Sequence, residues 1–457
     1  MDQREANINQ IVPKDVDWDR YIPANAEPTR LKKDFVKWLN KIGMPEYYTT
    51  DEMRETMMKD LKFLSKMDAR EYTLYKKYKE IRRNYKVVQQ QAFSVFGFQA
   101  SEEKTLEDAG VAEVKSNIWM PESPEDYLNL EPKIIYTDKH HWNSIKWTHL
   151  RVFTHTQANN PNIGRDLRFL VNNGDTGKHL GIICLSSDFM DLTGRDNYIG
   201  WSRDIKTANA MINHTAIGST ICPTQPLGFN FLGGKLLALL TLSKPMEEAW
   251  EKAYGDKLAG ITTTSLYGTY SQYTRLKYWI HRESGKLNGK RKPGFCTNGS
   301  IRFEPERDTI KMAWEWLKYN YPLRYFEWYA ALKETGLPLK RDHKQRSLTF
   351  LYKKLGIKDK YTEAKHKRGV FFCPLFNNSN DFLKMDIGAQ QLTEKTRRFD
   401  NSIEALTQIW KDQYASKRVK KLVDSGEYNT DTLFYDGMAF LDTWEEAKEM
   451  YLGEVGR

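Results

Sequence analysis

Residues 168–185 read RFLVNNGDTGKHLGIICL, two apolar runs separated by a turn rich in Asn and Gly. Asn and Gly accept the positive φ that a tight reversal demands, so the stretch predicts a β-hairpin of 168–171 against 180–185. Toward the C-terminus, 214–222 is rich in Thr and Ile and reads as a strand, which Pro223, Pro226 and Gly228 interrupt. Gly233-Gly234-Lys235 then opens a helix expected to run to about Tyr254, with Gly255 as its cap. A further strand is expected over 258–265 and a short second helix over 268–280. Hairpin, strand, helix, strand, helix is the order of an α/β core.

The flanks have a different texture. Met53, Met57, Leu61, Leu64, Tyr72, Tyr75, Tyr78 and Ile81 recur at three and four residue spacing, which predicts two amphipathic helices over 51–92. Ahead of them, Pro13, Pro23, Pro28 and Pro45 surround one helical stretch, 31–42, and suggest a wrapped arm. Between 93 and 130 the pattern breaks at Gly97, Gly110, Pro121 and Pro124, the mark of a long connection. The final part, 302–457, reads as mainly helical, with Trp314, Trp316, Tyr319, Tyr325, Trp328 and Tyr329 expected mostly in a core and one strand-like piece at 369–375. The expected domains are therefore a helical arm and hairpin at 1–130, an α/β core at 131–295, and a mainly helical basic region at 296–457.

A chain of 457 residues exceeds what one hydrophobic core usually supports, and 40% hydrophobic with 28% charged residues is a folding composition. No apolar run approaches the roughly 20 residues of a membrane span; the longest, 236–242, has the length of a buried helix. The polar N-terminus lacks the features of a secretory signal, so a cytoplasmic location is expected. Cys184, Cys222, Cys296 and Cys373 lie far apart with no Cys-x-x-Cys pair, which fits a reducing compartment and not a zinc ribbon. His140, His141, His149 and His155 cluster in sequence, but no nearby Cys or Glu completes a ligand set, and no metal is expected.

Charge is unevenly spread. The net charge is +10, and residues 275–292 hold seven Lys or Arg against one acid, residues 340–368 eleven against three. Tyr278, Trp279, Phe295, Phe350, Tyr352 and Tyr361 are interleaved with these cations. Cations that neutralise phosphate beside rings that stack on bases suit a nucleic-acid partner, DNA first and RNA as an alternative. The same pattern also describes a solvated basic helix with its rings turned inward.

The segment from Gly194 to Ser202, GRDNYIGWS, resembles the Arg-Asp-x-x-Ile-Gly-Trp-Ser signature of the DruA family of the Druantia anti-phage system. Further similarities follow in order: 168–171, Asn209 with Asn213-His214-Thr215, Trp250 with Tyr254-Gly255, and Gly268-Thr269 before Tyr273 and Trp279. Two positions depart from the family pattern: Ala216 stands where Arg is usual, and 273–279 reads YTRLKYW. The last motif is also similar to the Mom family of phage DNA modification proteins, whose fold is that of the GNAT-like acyltransferases. This second resemblance implies a GNAT-like mixed sheet and acetyl-CoA or another acyl-CoA as cofactor.

Under that resemblance the cofactor pyrophosphate belongs at Gly228, Gly233, Gly234 and Lys235, where free amides and the positive end of a helix favour an anion. Tyr273 is the candidate general acid, Asp196 a polar partner for an extruded base, and Ser265 a residue near the site. Arg195, Trp201, Arg275, Lys277 and Arg282 are the candidate nucleic-acid contacts. Two functions follow: a DNA-modifying acyltransferase, or a non-catalytic nucleic-acid-binding subunit of an anti-phage complex with protein partners. For each group there is a plainer alternative: a packed tyrosine, a structural ion pair at 195–196, glycines that only permit close packing, or ordinary basic surface on a structural protein.

Overall fold

The structure is a computed structural model that describes residues 47–95, 110–137, 142–159, 164–266, 268, 271–321, 325 and 342–455. The arm at 1–46 with its helical stretch, His140, His141, Trp328, Tyr329 and Thr269 lie outside the described residues. The chain divides into two compact units, one of Met1–Tyr72 with Ser300–His366, the other of Thr73–Gly299 with Lys367–Arg457.

In the smaller unit, α1 (Thr50–Leu64) buries Met53, Met57, Leu61 and Leu64. Thr49 and Glu52 form a reciprocal capping box that satisfies its first amides. The second predicted helix, α2 (Ala69–Val95), follows after a short turn and belongs mostly to the larger unit.

The larger unit is built on a sheet that begins with β1 (Pro132–Thr137). Helix α3 (Trp142–Thr154) leads to the predicted hairpin, β2 (Asp166–Asn173) and β3 (His179–Ser187). After α4 (Thr193–Ile199) come β4 (Thr215–Pro223), α5 (Gly233–Leu240), α6 (Lys244–Tyr254) and β5 (Gly260–Ser265). A small separate hairpin, β6 (Lys286–Leu287) and β7 (Lys290–Arg291), precedes β8 (Cys296–Arg302). Helices α7 (Arg307–Asn320) and α8 (Asp342–Lys354), which belong to the smaller unit, come next in the chain, then β9 (Glu363–Pro374), and α9 (Ile403–Trp410) and α10 (Ser416–Ser425) of the larger unit follow.

The main sheet has the order β1-β2-β3-β4-β5-β9-β8. The β1 to β4 ladder is antiparallel, β4 and β5 are parallel, and β9 returns antiparallel to β5. Every residue of β3 but the last is buried, because both faces of the sheet are covered. On one face Thr220 and Cys222 meet Arg151 and Thr154 of α3. On the other, a Cβ at Gly181 would strike Leu237 of α5. Leu236, Leu237, Leu239 and Leu240 are fully buried, each contributing about 1.5–3 kcal/mol by leaving water.

Two expectations need correction. The helix from Gly233 to Tyr254 is two helices: Ser243 adopts an extended backbone and Pro245 sits in the first turn of α6, so the backbone restarts there. The strand-like piece at 369–375 is part of β9, which lies in the sheet against β5 along 260–265. No second helix forms over 271–280. Arg275 and Tyr278 have φ of 58° and 74°, left-handed values that a right-handed helix cannot contain, and the segment is a succession of four-residue turns.

Candidate functional site

Only three residue pairs join β4 to β5, ending at Ile217 and Thr262. Beyond them β4 continues to Pro223 and β5 to Ser265, and the two parallel strands diverge into a wedge. A bulge at Ser219, where Cys184 pairs with Thr220 and Leu185 with Gly218, accompanies the divergence. The wedge opens toward the start of α5, the place where a ligand would meet both diverging backbones and a helix N-terminus.

The chain's own segment at 271–280 fills this wedge. Gln272 Nε2 donates to the Ile221 carbonyl at 3.3 Å, and Thr263 Oγ1 donates to the Gly218 carbonyl at 3.0 Å. Lys235 Nζ donates to the carbonyls of Gln272 and Thr274 at 3.1 and 3.0 Å, and burial lowers its pKa. Tyr273 is buried against Trp279 and Phe371; burial raises its pKa, with Thr263 and Gln272 as polar neighbours. Ser265 ends β5 opposite Gly369.

Tyr273, Gly234 and Lys235 are thus brought together as the sequence suggests, but around Gln272. A Cβ on Gly234 would run into the Gln272 side chain, and one on Gly228 would lie 2.6 Å from the Gln225 amide. The Gly233 amide donates to Leu227 O at 3.0 Å. The Gln272 side chain therefore covers the face of Gly234.

Arg195 and Asp196 belong to a separate buried cluster. Arg195 is 0% exposed; its guanidinium meets Asp188 Oδ1 at 2.7 Å and Asp196 Oδ1 at 2.6 Å and stacks 5.1 Å from the Trp201 ring. Trp201 Nε1 donates to Leu383 O at 2.7 Å, and Asp188 Oδ2 accepts from Thr262 Oγ1 of β5 at 2.7 Å. Lys206 bridges Asp196 and Asp191; burial works against its charge, yet the two carboxylates hold its pKa above the usual value. This network fastens the loop after β3 to β5 and to the segment near Leu383. Asp188 and Lys206 were not singled out by the sequence, since a lone Asp or Lys in a loop carries no pattern.

Arg275 and Lys277 are exposed on the outer side of the wedge-filling segment. Tyr414 ties that segment to the turn before α10: its hydroxyl accepts from the Lys277 amide at 2.8 Å and donates to Arg275 O at 3.2 Å. Lys417, Lys420 and Lys421 of α10 are exposed as well. Arg282 Nη2 lies 2.8 Å from His281 Nε2, and burial together with Arg282 lowers the pKa of that ring. Beyond it stand β6 and β7, every residue exposed. Within 275–292, Lys292 reaches Glu283 at 2.5 Å, and among the described ion pairs no other cation of the segment has a carboxylate partner.

The family model for Druantia protein DruA matches residues 124–385, more than half of the chain. The chain belongs to the DruA family. A curated Druantia protein DruA from Escherichia coli (strain UMEA 4076-1) is 34% identical over 126 residues, covering 25% of this chain and 30% of that protein. This DruA-family chain therefore spans about a third of the length of that relative. No solved structure matches it. The family match includes the hairpin, the signature at 194–202, the wedge and the basic segment, whereas α10 and Tyr414 lie beyond it.

Among the described residues no three His, Cys, Asp or Glu converge on a metal position. His149 is buried on α3 and its pKa falls to about 4 through burial. No helix among the described residues is long and apolar enough to cross a membrane.

Proposed function

We propose that this DruA-family chain serves in anti-phage defence by binding DNA through the basic surface of residues 275–292, extended by α10. The observation that carries the reading is a charge imbalance: seven Lys or Arg stand against Glu283 alone, and Glu283 is already held by Lys292. Exposed cations without partners repel one another, and a polyanion relieves that repulsion while releasing its counterions. Fluorescence anisotropy with a DNA duplex should show binding that weakens steeply between about 50 and 200 mM salt. Arg275→Glu with Lys277→Glu should weaken it further and reduce the salt slope by about 2. No retention of DNA at low salt, or indifference to the double substitution, overturns the reading. Preference for RNA in competition would transfer it to that polymer.

A second reading, an acyl-group transfer to a nucleobase on a Mom-like, GNAT-like core, is favoured by the topology. Four antiparallel strands, a diverging parallel pair β4 and β5, and a crossover helix that begins at glycines are what that fold requires. Gln272 stands against it. Calorimetry should detect acetyl-CoA binding when Gln272→Ala clears the face of Gly234, and nucleosides digested from DNA of expressing cells should carry an adduct that Tyr273→Phe removes. No heat with either form of the chain rejects the second reading and leaves the first intact.

A further inference from the structure

The β6–β7 hairpin carries an arrangement that packing within the chain does not explain. Asn288 and Gly289 have φ of 51° and 77°, the two positive values of a type I′ turn, which holds Lys286 opposite Arg291 and Leu287 opposite Lys290. Like charges directly across a ladder are destabilising, and no acid lies between them. Alternation along a strand places Lys286 and Arg291 on one face of the ribbon and Leu287 and Lys290 on the other. Both faces therefore carry cations. Leu287 is 58% exposed at the turn, a large apolar side chain at the tip of an otherwise polar finger.

A ribbon that lies flat on one strand of nucleic acid needs cations on one face only. A ribbon inserted into a groove meets a phosphate backbone on each side. We infer that the β6–β7 finger enters a groove of B-form duplex DNA, with Lys286, Lys290 and Arg291 directed to the flanking phosphates and Leu287 wedged against a base step. The inference rests on the DNA-binding reading and names its substrate as duplex. Two-stranded ribbons are used in this way, and apolar wedges partly unstack the step they enter. The major groove of A-form RNA is too narrow and deep to admit one.

The test uses the full chain and a DNA duplex with 2-aminopurine at successive positions, whose fluorescence rises when its neighbours unstack. The chain should raise the signal, and Leu287→Ser should remove most of that rise while changing affinity less than about threefold. Lys286→Ala with Arg291→Ala should weaken binding about tenfold and lower the salt slope by about 2. DNA binding without a fluorescence rise, a rise that survives Leu287→Ser, or equal affinity for duplex RNA overturns the inference and leaves the DNA-binding reading standing. Failure to bind any DNA overturns both. Circular dichroism melting checks that the exposed substitutions leave the fold in place.

Discussion

The loop after β3 and the finger after β5 both carry cations, and they use them in opposite ways. Around Arg195 every charge is met: Arg195 and Lys206 face Asp188, Asp191 and Asp196, and the guanidinium is closed from water. Around Leu287 the cations face solvent and each other. A cation in a family signature is thus no guide to a ligand; what separates a fastening from a contact surface is whether the charge is neutralised inside the chain. Trp201 teaches the same lesson, because its indole is committed to Leu383 O and to the Arg195 face.

The contrast can be broken most directly at Arg195. Arg195→Met leaves the buried Asp188 carboxylate without its cation, while Asp196 keeps Lys206, and should cost about 3–5 kcal/mol in denaturant unfolding. A loss below about 1 kcal/mol would mean that the cluster is not a fastening. Acid titration sharpens the comparison next. His149 has a folded pKa of about 4, so between about 6.5 and 4 the unfolded chain binds more protons than the folded one. Stability should therefore fall as the pH drops through that window, by up to about 3 kcal/mol from this residue. His149→Phe should flatten that limb, and substitutions in the finger should not. The smallest effect belongs to the finger itself: Lys286→Ala with Arg291→Ala should leave the unfolding midpoint unchanged or raise it slightly, since two opposed charges are removed. A clear loss of stability there would place the finger with the buried cluster.

Much of the sheet was legible because its signals are local. The Asn-Gly turn at 172–174 and the Thr- and Ile-rich composition of β4 act over a few residues, and the hairpin, β4 and β5 appear where they were expected. The wedge was not legible, since strand divergence depends on which strand pairs with which. Gln272 gave no signal, being a lone amide whose partner, Ile221 O, is 51 residues away. The turns at Arg275 and Tyr278 were missed because neither residue type favours a left-handed backbone; tertiary contacts impose it. The finger did have a local sign, the Asn288-Gly289 pair, and charge counting alone passes over it.

The pairing of β5 with β9 has a consequence for how the chain is made. β5 ends at Ser265, and the strand that covers its edge ends at Pro374, with the segment Ser300–His366 of the other compact unit placed between them in sequence. At a synthesis rate of about 5–20 residues per second, some 5–20 seconds pass after β5 leaves the ribosome before its partner follows. Throughout that interval β5 presents an open edge able to pair with a foreign strand. The nascent protein thus depends on whatever shields that edge, and its yield in cells should respond to translation speed and chaperone supply before it responds to the stability of the finished fold.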